Sequence, residues 1–287
     1  MSERLRDRFG VSHLLAGTTA LTGLLIVLGV YTAASGAGLA CQQQWPLCDG
    51  GLLPQTIPSF IEWAHRFVAM ITGFVILGAA GATWRYGSER RTRLSATAAV
   101  ALLPLQVVLG GATVTIEGAI PWGYTPSVHA LHLGAALSIF SALTLATLWS
   151  FDGRLPPGRT RGALVAALGA LVAGLPFARE IGIQYTTGVQ TVYYALCLSC
   201  FAALLTAAVW AREEGLPPAT RWLAVGALPL VVFQLVVARS IVGFFGVVPA
   251  AYAVSILATA ALVAAGLWTV RRGEGDGDAA ARTVRGD

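Results

Sequence analysis

CQQQWPLCDGGLLPQTIPSFIEWAHRFVAMITGFVILGAAGATWR, residues 41–85, is a polar loop that runs into a long apolar stretch. Between Ile61 and the closing Arg85 the only charged side chains are Glu62 and Arg66. At about 1.5 Å of rise per residue, some 20 apolar residues cross the roughly 30 Å hydrocarbon layer of a bilayer. Similar stretches recur along the chain and predict spans near 12–34, 61–85, 94–115, 127–149, 162–179, 188–211, 221–241 and 247–270. The whole chain fits that reading. Its 287 residues are 56% hydrophobic and 11% charged, with mean hydropathy +0.70, whereas a soluble domain carries about 25% charged residues. The expected fold is all-α, a polytopic membrane protein of eight transmembrane helices with no separate soluble domain. The first span follows Arg4, Arg6 and Arg8 without a small-residue cleavage signal, so it reads as a retained helix.

The arginines give the expected orientation. There is no lysine, and all 19 basic residues are arginine. All but Arg66, Arg179 and Arg239 fall in the N-terminus, the C-terminal tail, or the loops after spans 2, 4 and 6. By the positive-inside rule both termini are cytoplasmic. The net charge of +5 then reports topology and membrane-lipid contact, and no nucleic-acid partner is expected. The arginine-only, Ala- and Gly-rich composition suggests a prokaryotic chain, hence a cell-membrane protein.

The two halves read as a repeat at an offset of 128 residues: Gln106-Val107-Val108 aligns with Gln234-Leu235-Val236. At that offset Ser59 maps onto Thr187, Glu62 onto Gln190, His65 onto Tyr193, Gly111 onto Arg239 and His132 onto Ala260. Two pseudo-symmetric four-helix bundles are expected, 1–150 and 151–272, followed by a disordered cytoplasmic tail over 273–287. The histidines, His13, His65, His129 and His132, all lie in the first half. Arg239 with Tyr193 and Tyr194 is expected to fill the space in the second.

His65 and His132 fall at matched depth on spans 2 and 4, both entered from the outer side. Ionisable groups inside a membrane are costly and usually functional. Two inward imidazoles on facing helices suit axial ligation of a heme better than zinc, since no thiolate reaches that depth. His129, one turn from His132, is a substitute ligand, a propionate donor or an interfacial residue. His13 lies at the cytoplasmic end and reads as packing. Glu62 shares a face with His65 and is either a proton-transfer group or the N3 member of a capping box, Ser59-x-x-Glu62, whose pattern Thr187-x-x-Gln190 keeps. Arg66 reads as a propionate partner or a snorkelling cation. Gly110 and Gly111 permit close approach of a macrocycle or a helix. Glu117 reads as interfacial. Cys41 and Cys48, on the outer side, form a structural or redox-active disulfide or a free thiol pair; Cys197 and Cys200, in mid-membrane, read as packing residues.

These residues together resemble the heme A synthase family of membrane enzymes. The matching pieces are Trp45-Pro46-Leu47-Cys48 closing the cysteine loop, Ile61-Glu62-Trp63-Ala64-His65-Arg66-Phe67, Gln106-x-x-Leu109-Gly110, and Ala130-Leu131-His132-Leu133-Gly134. The resemblance implies that His65 and His132 are axial ligands of the substrate heme, Glu62 the catalytic carboxylate, and Cys41–Cys48 an extracytoplasmic disulfide. It implies oxidation of the heme O C8 methyl to a formyl group, with water as oxygen source. It also implies supply from a heme O synthase (a farnesyltransferase) and use in cytochrome oxidase assembly. Family members often carry a second histidine pair for heme b; here those positions are Tyr193 and Ala260, so no second heme is expected. The electron acceptor is then a quinone, a partner, or another protomer of a homo-oligomer. The alternative is a non-catalytic b-type cytochrome or heme-handling protein; a small-solute transporter is a third class.

Overall fold

The computed structural model describes residues 3–41, 44–86, 88–116, 126–151, 158–179, 181–239 and 247–285. Among them run eight α-helices: α1 (Glu3–Ala34), α2 (Ile57–Arg85), α3 (Arg90–Thr115), α4 (Pro126–Ser150), α5 (Arg159–Gly174), α6 (Thr187–Glu213), α7 (Pro218–Arg239) and α8 (Val248–Arg285). All eight have segments long and apolar enough to cross a membrane, which makes the protein polytopic. Several helices begin a few residues before the sequence spans, because the first turns of α3 and α5 hold Arg90, Arg91, Arg93, Arg159 and Arg161. Arginine stems lie along apolar surface while their heads reach water, so a helix continues through them. The backbone of α8 continues as helix to Arg285, where the glycine- and acid-rich composition suggested a disordered tail; Ala279, Ala280 and Ala281 are strong helix formers. Glu117 lies outside the described residues, and so does the Arg239 side chain.

The chain divides into two compact units. One comprises residues 1–152 and 184–194, the other 153–183 and 195–287. In the first, α1 packs against α2 and α4, and α3 packs against the same two. The four helices form a closed bundle with α2 and α4 on one diagonal. Small residues let the backbones approach: Ala79, Ala80, Ala96 and Ala146 gather with Val11 and Leu15, and Ala99 and Ala142 with Ile76, Ile139 and Leu143. Hydrogen bonds tie the helices where lipid offers no partners. The hydroxyls of Thr19 and Thr147 are 2.8 Å apart, and Ser95 donates to the Ala142 carbonyl at 2.8 Å.

In the second unit α8 packs against both α7 and α5. The Thr220 and Thr269 hydroxyls meet at 2.8 Å, and the Gln234 amide donates to Thr259 at 3.0 Å. Arg159 pairs with Glu213 at 2.6 Å. Cys197 and Cys200 are buried on α6.

Candidate functional site

The site is built from the outer loop inward. After Cys41 the chain turns back through Asp49 and Gly50, both at positive φ (52° and 78°), so that Cys48 and Gly51 exchange backbone hydrogen bonds. Cys41 and Cys48 are joined, with sulfurs 2.07 Å apart, and both sulfurs lie 3.8–3.9 Å from the Ser59 carbonyl oxygen. The loop thus sits on the start of α2. Ser59 donates to the Ala40 carbonyl at 3.2 Å or to Asp49 Oδ1 at 3.1 Å.

That arrangement overturns the capping-box reading of Glu62. The N-cap of α2 is Thr56, whose hydroxyl accepts from Ser59 N at 3.2 Å. Ser59 is itself the third helical residue, and Pro58 at the second position fixes the start. Glu62 lies a turn deeper, buried, and its Oε2 accepts from Cys41 N at 2.8 Å. In α6 the Thr186 hydroxyl plays the cap, accepting from Val189 N at 3.4 Å.

Arg66, one turn beyond Glu62 on the same face, forms an ion pair with Glu62 Oε1. Its Nη1 also donates to the Gln44 and Leu47 carbonyls at 2.9 and 3.0 Å. A guanidinium offers several donors in a fixed fork, and here the fork straps the cysteine loop to α2. The Trp45 ring of the same loop reaches α3, 3.8 Å from where Gly111 would carry a Cβ.

Below this roof lie the two histidines. His65 is the ninth residue of α2 and His132 the seventh of α4, about 12 and 9 Å along their helices. The rings are near enough to interact electrostatically. His65 leans on α1: a Cβ on Gly29 would fall 2.9 Å from its Nε2. His132 leans on α3: a Cβ on Gly110 would fall 3.2 Å from its Cε1, and the Gln106 amide nitrogen is 3.4 Å from its Nε2. The diagonal helices supply the imidazoles and the other two supply glycines. Two imidazoles on diagonal helices, each facing a glycine of a neighbouring helix, are a donor set that fits a flat macrocycle. Among the described residues no cluster of three or more His, Cys, Asp or Glu gathers to hold a bare metal ion.

The structure brings together Cys41, Cys48, Glu62, His65, Arg66 and His132 in one bundle. His129 is half-buried, one turn nearer the α4 start than His132. His13 is exposed at the opposite end of the bundle, edge-on to Phe151 at 5.6 Å. Tyr193 and Tyr194 are buried, 2% and 1% exposed, and group with the first unit, whereas the sequence reading has them fill the second half. Sequence reasoning missed Gly29, one glycine in an apolar helix with nothing polar beside it. It also missed the Thr56 cap, which Pro58 signals.

The fold places the protein among polytopic all-α membrane proteins. Over residues 12–177, more than half its length, the chain matches the family described as cytochrome oxidase assembly protein, COX15-CtaA, and it belongs to that family. It is 36% identical over 137 residues to a heme A synthase of Bacillus licheniformis, covering 47% of this chain and 43% of that one. With a heme A synthase of Bacillus pumilus the figures are 31% over 148 residues, 50% and 46%. A protoheme IX farnesyltransferase of Halobacterium salinarum is 39% identical over 142 residues, 48% of this chain and 30% of that one. The chain thus spans less than half the length of these curated relatives.

Proposed function

We propose that this protein is a heme A synthase with one heme site per chain, oxidising the C8 methyl of heme O to a formyl group for terminal oxidase assembly. The observation that carries the reading is the diagonal His65–His132 pair under a loop tied to Glu62. The conversion adds one water oxygen to the methyl carbon and releases four protons and four electrons, the electrons passing to an acceptor outside this chain. The heme is the substrate of this conversion, and His65 and His132 are the residues that would hold its iron. Glu62, on the same face of α2 as His65, takes protons from the reacting carbon and water at Oε1 once Arg66 releases that oxygen. Gln44 and Leu47 keep Arg66 beside it meanwhile, and the loop with Trp45 excludes bulk water.

Both termini are cytoplasmic in this proposal and the cysteine loop faces the oxidising side of a prokaryotic cell membrane, where its disulfide persists. Support comes from each unit by itself: in the first Arg93 stacks over Trp84, and in the second Arg159 stacks over Trp210 and Arg272 over Trp268, cationic and aromatic pairs of the kind found at cytoplasmic helix ends. The supplier of substrate is a farnesyltransferase in the same membrane. The support here is that a segment similar to half of this chain forms under a third of a protein named for that reaction.

The test is co-expression with a heme O synthase, followed by pigment extraction. Heme A or its hydroxylated precursor is expected, and their absence from folded protein sinks the proposal. A non-catalytic cytochrome is the second reading, favoured by one observation: both Glu62 oxygens are already engaged, by Arg66 and Cys41 N. Glu62→Gln separates the two. Loss of conversion with heme retained supports the enzyme, and unchanged pigment with lowered stability supports the cytochrome.

A further inference from the structure

Four helices meet around the imidazoles, and two of them, α2 and α4, carry the histidines. The others, α1 and α3, contribute Gly29 and Gly110 at the points of closest approach. For each glycine the three atoms nearest a built Cβ all belong to one histidine of the neighbouring helix. A Cβ 2.9 Å from His65 Nε2 is closer than real contacts allow, and one 3.2 Å from His132 Cε1 forces the ring to give. In both cases the atom that must move belongs to the end of the imidazole. The backbones of α1 and α3 do not have to shift.

The repeat offers an internal comparison. At the offset that maps His132 onto Ala260, Gly110 maps onto Ala238, which is 1% exposed. Where the imidazole is replaced by a methyl group, the facing glycine has gained one. Glycines elsewhere in the same bundle show no such relation. Gly17 on α1 and Gly73 on α2 have no atom within 4 Å of a built Cβ.

We infer that Gly29 and Gly110 are positioning residues: each is the seat that sets where its partner imidazole stands, and so whether both nitrogens reach one iron. This rests on the heme-ligand reading of His65 and His132. The seats act through the histidines and need not touch the substrate.

The test uses the full-length protein purified heme-free in detergent and titrated with hemin, followed by Soret absorption and by the electron paramagnetic resonance of the ferric iron. Wild type is expected to give a low-spin, six-coordinate spectrum. Gly29→Ala and Gly110→Ala are expected to bind about tenfold or more weakly, the scale of support-residue losses at metal sites, with a high-spin fraction replacing the low-spin signal. Gly17→Ala and Gly73→Ala are expected to match wild type. Alanine favours a helix over glycine, so the heme-free variants are expected to melt no lower than wild type. Low-spin binding of wild-type strength by both seat variants overturns the inference and leaves the heme reading standing. Failure of the wild type to take up hemin removes the heme reading, and the seats with it.

A second arm separates seating from simple crowding. In His65→Gly, free imidazole at millimolar concentration is expected to restore the low-spin signal, and adding Gly29→Ala is expected to leave that rescue intact, because an untethered ring finds its own place. If Gly29→Ala still blocks the rescued site, the glycine makes room for the porphyrin itself and the seat assignment is overturned.

Discussion

Between α3 and α4 the Gln106 amide meets His132 at 3.4 Å; between α7 and α8 its repeat counterpart Gln234 meets Thr259 at 3.0 Å. The glutamine is present in both pairs, while the group it meets differs. In the second unit the tie is a short, buried amide–hydroxyl bond continued by Thr259 to the Ser255 carbonyl at 2.8 Å. In the first it is longer and ends on a nitrogen proposed to bind iron. A cross-brace explains the glutamine, since it persists without the histidine. It does not explain His132, Gly110 or the Glu62–Arg66 pair, whose counterparts are Ala260, Ala238 and Gln190–Tyr194. In the proposed reading the same helix pairing serves chemistry in one half and packing in the other.

The largest expected effect tests that contrast directly. His65→Ala or His132→Ala should cut the heme content of purified protein to below about a tenth of wild type by pyridine hemochrome, since each removes an axial ligand. Tyr193→Phe, at the counterpart of His65, should leave the content unchanged, and a loss there breaks the one-site reading. Next is Arg66→Met, which strands a buried carboxylate and should destabilise the first unit by about 3 kcal/mol, read as a lowered melting temperature. Cys41→Ser together with Cys48→Ser should cost about 2 kcal/mol, whereas Cys197→Ala with Cys200→Ala should cost about 1 kcal/mol or less, as small packing changes do. Smallest is Gln234→Leu, about 1 kcal/mol in stability. Gln106→Leu should change stability less and shift the Soret band of the hemin complex more. Equal behaviour of the two glutamine variants would erase the difference between the pairs.

Much of this was legible in the sequence. The eight spans were readable because apolar length is a strong signal, and starts slipped where first turns carry arginine or cap residues, most at α1, which begins at Glu3 against an expected 12. The pairing of His65 with His132 followed from depth alone. The Thr56 cap did not, because Ser59 has its hydroxyl drawn to Ala40 and Asp49 by a loop whose path no local pattern encodes. Gly29 was hidden for a similar reason: its role depends on which face of α1 meets α2. Arg66 was read as facing a propionate or the headgroups, and in the structure it turns to Glu62 and the loop carbonyls, a choice that only the fold of residues 44–47 decides.

The Glu62–Arg66 pair bears also on biogenesis. Before its terminal Arg85, α2 holds no other charge. Because the two lie one turn apart and paired, the segment enters the bilayer with no net charge. An outward-facing arginine alone would oppose the topological bias that positive residues impose. In the proposed orientation the carboxylate beside the proposed chemistry keeps this arginine paired within the bilayer, and its loss would leave an unpaired buried cation as soon as the segment inserts, before any cofactor arrives.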